Sequence, residues 1–158
     1  MIIREYKQSD QEVVKEIFAL YWTDPEFLEE LSGELHLFIK TTLNKDLGFF
    51  VSEENGEITG IVGFKKLADY FKPYTTTDIS VELYVIAVKY KGKGIGKELK
   101  IKLVEEVRKM EFKEILFFSP NSHSNSWNFH DSLDFKRVGE ITPPDDEIGQ
   151  IWRKVFNR

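Results

Sequence analysis

Apolar residues recur along this chain with two periods, and the switches between them predict the elements. Residues 2–6 read as a short strand. Val13, Val14, Ile17 and Phe18 then follow helical spacing from a Ser9-Asp10 cap to about Leu20. Asp24-Pro25 marks a second helix start, an N-cap acid followed by proline at the first helical position. That helix carries Phe27, Leu28, Leu31, Leu35, Phe38 and Ile39 towards Leu43. Residues 49–53 and 58–67 read as strands, and Asn55-Gly56 between them is a hairpin signal. After an aromatic-rich loop at 68–77 comes the clearest strand, 79–88. A long helix over about 94–110 places Ile95, Leu99, Leu103, Val107 and Met110 at intervals of three or four. A strand at 114–118, a helix at 125–133 and strands at 135–142 and 148–156 complete the chain, with Pro143-Pro144-Asp145-Asp146 breaking the last two apart.

Tight turns early in this order imply antiparallel pairing, and the strand–helix–strand step over 79–118 implies a parallel crossover. The expected class is α/β (α+β): a mixed, mostly antiparallel sheet of about six to seven strands with helices on both faces.

Length and composition narrow the function. The 158 residues fit a single domain spanning 1–158, and a 41% hydrophobic content with 13 Phe is enough for a packed core. No apolar run is long enough to span a bilayer, and Met1-Ile2-Ile3-Arg4-Glu5 lacks a leader's apolar stretch, so a cytoplasmic protein without a membrane partner is expected. The absence of cysteine excludes disulfides, thiolate metal sites and a Cys nucleophile, and no metal site is expected. A net charge of −5 argues against nucleic acid. The charge is uneven, however. Between Lys89 and Lys102 there are six lysines and one acid, while between Asp24 and Glu34 there are five acids and no base. Each run can be a solvated face. Together they also fit an anion site near 91–97 and a cation-attracting surface near 24–34.

Residues 91–96 read Lys-Gly-Lys-Gly-Ile-Gly, between the best strand and the best helix. Glycine permits close approach of a ligand to the backbone. The first helical turn leaves N–H groups without intrahelical partners, and the helix dipole adds partial positive charge there. The result is a phosphate cradle built from the amides between Lys93 and Lys97, Ile95 included. A P-loop does not fit, because Lys91 stands where its first Gly belongs and Glu98 where Ser/Thr would hold magnesium. A dinucleotide fingerprint does not fit either, because its third Gly would be Lys97.

The pattern Lys91-x-x-Gly94-x-Gly96 resembles the pyrophosphate-binding turn of the GNAT superfamily of N-acetyltransferases, Arg/Gln-x-x-Gly-x-Gly/Ala. The resemblance covers nearly the whole chain. The run Glu82-Leu83-Tyr84-Val85-Ile86-Ala87-Val88 is similar to the family's fourth strand, whose main chain binds pantetheine like an added strand. Carried over, those groups belong to Ile86, Ala87 and Val88. Phe129-His130-Asp131-Ser132-Leu133-Asp134-Phe135 resembles the family's Phe-Tyr-x-x-Leu-Gly-Phe, with His130 in place of Tyr and Asp134 in place of Gly. An Asn that touches pantetheine often precedes that Tyr by seven residues. His123 stands there, with Asn121 and Asn125 on either side, and Asn125 is the candidate contact. The resemblance implies a GNAT-like fold, acetyl-CoA as co-substrate and transfer of its acetyl group to a primary amine of a small molecule or peptide. The protein would act as a monomer or homodimer.

Acetyl transfer needs a base, because an alkyl ammonium with a pKa of ~10.4 is not nucleophilic at neutral pH. It also needs N–H donors for an oxyanion and an acid for the departing thiolate. Glu82 is the candidate base, six residues before Val88, an offset the family's catalytic Glu shares; it also fits an exposed polar face with Ser80 and Tyr84. The N–H of Val88 or Ile86 is the oxyanion donor. His130 is the positional candidate for the acid and Tyr84 the runner-up, although His130 also fits a packing role. Lys93 and Lys97 would assist the phosphates. Tyr21, Trp22, Asp24, Glu26, Tyr70, Phe71 and Tyr74 lie where the family shapes its acceptor site, and acids with aromatics suit a cationic amine. Two other readings fit the motif: a non-catalytic acyl-CoA-binding module or sensor on the same fold, and a binder of ATP or NAD.

Overall fold

The computed structural model describes residues 1–156. Its strands are β1 (Ile2–Glu5), β2 (Leu47–Glu54), β3 (Glu57–Lys66), β4 (Ser80–Val88), β5 (Glu114–Pro120), β6 (Lys136–Ile141) and β7 (Gly149–Val155). Its helices are α1 (Gln11–Ala19), α2 (Pro25–Thr41), α3 (Ile95–Lys109) and α4 (Trp127–His130). The strands hydrogen-bond in the order β1-β2-β3-β4-β5-β7-β6, which gives the mixed seven-stranded sheet expected from the pattern. The chain divides into two compact units, Met1–Lys65 with Tyr84–Glu106, and Lys66–Leu83 with Val107–Arg158.

In the first unit, β1, β2 and β3 pair antiparallel. Asn55 (φ 52°) and Gly56 (φ 79°) both adopt the left-handed conformation that a two-residue hairpin turn requires. Asp24 caps α2, accepting from the Glu26 N–H at 3.1 Å, with Pro25 in the first turn. Asp10 does not cap α1 with its side chain. It is buried, accepts both guanidinium nitrogens of Arg4 at 2.8 and 2.9 Å, and also takes the Lys7 N–H. A buried carboxylate needs charge-assisted partners more than a helix end needs a cap. Val14, Ile17, Leu31, Leu35 and Phe38 bury the apolar faces of α1 and α2 against Phe49 and Val51. Each such side chain contributes about 1.5–3 kcal/mol relative to exposure. Helix α3 sits close on β3: a Cβ on Gly60 would come within 2.8 Å of Leu99 Cδ1 and 3.1 Å of the Ala87 carbonyl oxygen. A side chain there would have to push Leu99 aside and crowd the β4 backbone, so glycine favours the close approach.

In the second unit, β4 and β5 run parallel, with Ser80 opposite Glu114, Val81 opposite Ile115 and Glu82 opposite Leu116. Strand β7 pairs antiparallel with β5 along its whole length, and β6 lies outside it. The last strand therefore slots between two earlier ones. Residues 121–126, followed by the single turn α4, replace the continuous helix expected over 125–133. They form a 3-10 segment with non-helical angles at His123. The 68–77 loop contains a 3-10 helix, Asp69–Tyr74, whose Phe71 is fully buried with Leu116 and Ile151.

Candidate active site

The glycine turn lies in the first unit, between β4 and α3. Gly92 (φ 76°) and Gly94 (φ 78°) both occupy the left-handed region, which costs other residues about 1–2 kcal/mol. A Cβ at either would meet no described atom within 4 Å, so conformation rather than crowding demands glycine, and the space over the turn is open. The first intrahelical bond runs from the Glu98 N–H to the Gly94 carbonyl, at 3.2 Å. Helical geometry leaves the amides of Ile95, Gly96 and Lys97 without intrahelical acceptors, at the positive end of a 15-residue helix. Lys91, Lys93 and Lys97 stand exposed around them. This arrangement suits a phosphate or diphosphate.

The strand that leads into the turn is held from several sides. The Lys89 N–H donates to the Thr59 carbonyl on β3 at 2.8 Å. Main-chain groups alternate between the two edges of a strand. Ala87 therefore faces β3 with Lys89, while Ile86 and Val88 turn their groups to the other edge. The Val88 carbonyl is occupied: it accepts the Tyr21 hydroxyl at 2.8 Å. Burial pushes the Tyr21 phenol above its ordinary pKa. The Lys91 ammonium stands 5.3 Å from the centre of the Tyr21 ring. Glu57 accepts from Lys89 Nζ at 2.6 Å and from the Tyr90 hydroxyl at 2.7 Å. These two bonds hold the Glu57 carboxyl below its usual pKa and raise that of Lys89.

Tyr84 belongs to the same unit. Its hydroxyl donates to the Glu30 carboxylate, and Lys65 Nζ lies 4.3 Å from its ring centre. The acid run of α2 thus supplies a side chain that touches β4, which its sequence did not disclose.

In the second unit, Glu82 is only 6% exposed, which removes the reading of an exposed polar face. Its Oε1 accepts the Ala68 N–H at 3.1 Å, at the start of the aromatic loop. Glu114 is fully buried and anchors the other end of that loop. It accepts the Thr76 N–H at 2.9 Å, the Thr76 hydroxyl at 2.7 Å and the Ser80 hydroxyl at 2.8 Å. Nothing in the pattern singled Glu114 out. The available signal was an acid opening an otherwise apolar strand.

His130, 7% exposed, packs among Phe117, Trp152 and Phe129, with ring centres 4.5, 5.2 and 5.6 Å away. Asn125 is exposed on the 3-10 segment. Asp134 keeps the conformation that the resembling motif fills with glycine, at φ 64°, and Leu133 joins it at 61°. Of the acceptor-side aromatics, Tyr21 instead commits its hydroxyl to the Val88 carbonyl, Phe71 is core, Tyr74 packs over Gly139, and Trp22 stacks edgewise on Phe18 and Phe27.

The model of the acetyltransferase (GNAT) family matches residues 14–135. No curated protein matches the chain. Among solved structures, a GNAT-family protein from Desulfovibrio desulfuricans superposes with a TM-score of 0.81 at 15% identity, covering 98% of each chain. The ribosomal-protein-alanine N-acetyltransferase of Brucella melitensis gives 0.74 at 18%, covering 99% of this chain and 100% of its own. The PaiA N-acetyltransferase of Thermoplasma acidophilum, solved with coenzyme A, gives 0.70 at 19%, covering 98% of each. At these identities the structures speak for the fold. Among the described residues, no helix is long and apolar enough to cross a membrane.

Proposed function

The chain belongs to the acetyltransferase (GNAT) family, and from that premise we propose that it moves the acetyl group of acetyl-CoA onto a primary amine of a small molecule or peptide, by direct attack in a ternary complex. The observation that carries this reading is the turn at 91–96. Two left-handed glycines expose the first amides of α3 under open space, which fits the diphosphate of coenzyme A. Lys91, Lys93 and Lys97 add charge to that grip. Ile86, Ala87 and the Val88 N–H, in the stretch of β4 that leads into the turn, align the pantetheine arm; the family resemblance adds Asn125 as a candidate contact. The PaiA relative binds coenzyme A and a Salmonella typhimurium relative, YncA, binds acetyl-CoA, both with this fold.

Each chemical need then has a residue. Glu82 takes the amine proton, its carboxylate fixed by the Ala68 N–H. The Val88 N–H donates to the oxyanion that forms as the amine nitrogen bonds to the thioester carbon. When the carbon–sulfur bond breaks, His130 gives a proton to the sulfur and the nitrogen releases its second proton to solvent, leaving an N-acetyl product and free coenzyme A. We give His130 this role rather than Tyr84, because the Tyr84 proton is already committed to Glu30.

Turnover with an amine panel, read by release of free thiol, tests the proposal. Glu82→Gln should cut the rate by about 10²–10⁴-fold, the range of a lost general base, and leave coenzyme A affinity intact. A parent protein that binds coenzyme A but acetylates no amine would make the chain a binding module instead. His130→Phe keeps an aromatic ring in the packing and removes the ring nitrogens that carry the proton. It should slow turnover roughly tenfold, less than the usual ~10²-fold or more, because a thiolate leaves readily. An unchanged rate would leave His130 a packing role.

A further inference from the structure

The segment between β4 and the glycine turn is clamped more heavily than a connection needs. Both ends of one peptide unit are held. The Val88 carbonyl takes the Tyr21 hydroxyl, and the Lys89 N–H of the same unit goes to the Thr59 carbonyl, each at 2.8 Å. The next side chains, Lys89 and Tyr90, both close on the single carboxylate of Glu57, at 2.6 and 2.7 Å. The following ammonium, Lys91, stands over the ring of the same Tyr21. Four consecutive residues, 88–91, are thus restrained from the turn after α1 and from β3. Immediately beyond them come the two left-handed glycines and the unpaired amides.

We propose that Tyr21 and Glu57 are positioning residues for the acyl donor: they lock residues 88–91 so that the diphosphate cradle is formed before the ligand arrives. The inference rests on the placement of the diphosphate at residues 93–97. The physical argument is entropic. A glycine-rich turn is among the most flexible stretches a chain can offer, and ordering it costs conformational entropy. Where that order exists in the free protein, binding need not supply it.

Neither residue touches the reacting atoms in this reading, so each should change binding rather than chemistry. Tyr21→Phe keeps the ring beneath Lys91 and deletes one hydrogen bond. Loss of one such bond should weaken coenzyme A binding by about three- to tenfold. Glu57→Gln should have an effect of similar size. The double variant should fall short of the product of the two, because both residues restrain one segment. Titration calorimetry with coenzyme A gives these affinities. Kinetics should show a raised KM for acetyl-CoA at unchanged kcat, and amide exchange at 91–97 should quicken in the free variants while that of β1 and β2 does not. A merely structural role would produce neither the KM–kcat split nor the localised exchange. Gly94→Glu serves as the control for the cradle itself. If Gly94→Glu abolishes coenzyme A binding while Tyr21→Phe and Glu57→Gln bind like the parent, the clamp is overturned and the cradle stands. If Gly94→Glu also binds normally, the diphosphate is misplaced and both readings fall. A lowered kcat at unchanged KM in Tyr21→Phe would likewise overturn the positioning role.

Discussion

Two segments of this molecule carry a strand into a helix, and they do it by opposite means. Residues 89–94 leave β4 with two left-handed glycines and open a 15-residue helix. Residues 121–126 leave β5 without a glycine, pass through a non-helical His123 and reach a helix of only four residues. The first is exposed and lined with lysine. The second buries no side chain of its own and is anchored through the short helix it enters: Trp127 and His130 both pack on Trp152, and Asp131 accepts both the Trp152 indole N–H and the Arg137 guanidinium at 2.9 Å. Left-handed glycines shape the first turn, while the packing of the helix that follows anchors the second. A segment of the first kind can give its amides to a ligand, while one of the second kind takes its place from the rings beyond it.

The comparison is easiest to break at Trp152. Its side chain is fully buried, so Trp152→Ala should cost about 3–5 kcal/mol of stability, with the 121–130 segment losing its order, as denaturant unfolding and amide exchange would show. A loss below about 1 kcal/mol would mean that packing does not hold that segment. Gly94→Glu should do the reverse. The site is open, so only the backbone cost of about 1–2 kcal/mol is expected, while coenzyme A affinity should fall by a hundredfold or more, because a carboxylate sits where a diphosphate belongs. Unfolding as severe as that of Trp152→Ala would erase the distinction between the two turns.

The smallest effect is electrostatic and confined to the second segment. Hydrogen bonds from Arg137 and then from Trp152 hold the Asp131 carboxyl below its ordinary pKa. A depressed folded-state pKa contributes stability that is complete above the unfolded value, near ~4, and is lost as the pH falls through the folded one. Asp131→Asn should remove that acid-side loss and leave the neutral-pH response to coenzyme A unchanged. Thermal melts of both proteins from pH 7 downward, with and without coenzyme A, would show it. Parallel acid profiles would mean that the pairing with Arg137 carries no net stability.

The elements with local causes were legible. Asn55-Gly56 announces its turn because both positions need positive φ, Asp24-Pro25 announces α2, and the period of 79–110 announces strand then helix. The site was legible where it depends on backbone, at residues 91–97. It was less so where side chains meet over long separations. Tyr21 and Val88 lie 67 residues apart, Tyr84 and Glu30 54, and Glu57 and Lys89 32. Asp10 differs: its position suggests a cap for α1, and a partner only six residues away, the Arg4 guanidinium, claims it instead.

The chain by itself determined its periodicities, its glycine turn and its family, because each rests on residues within a few positions of one another. Only the tertiary structure decided that β7 enters between β5 and β6, that Glu82 is buried rather than exposed, and that Tyr21 and Glu57 grip the strand end. Strand order and side-chain partnership are settled by which distant surfaces exclude water together, and no local pattern encodes that choice.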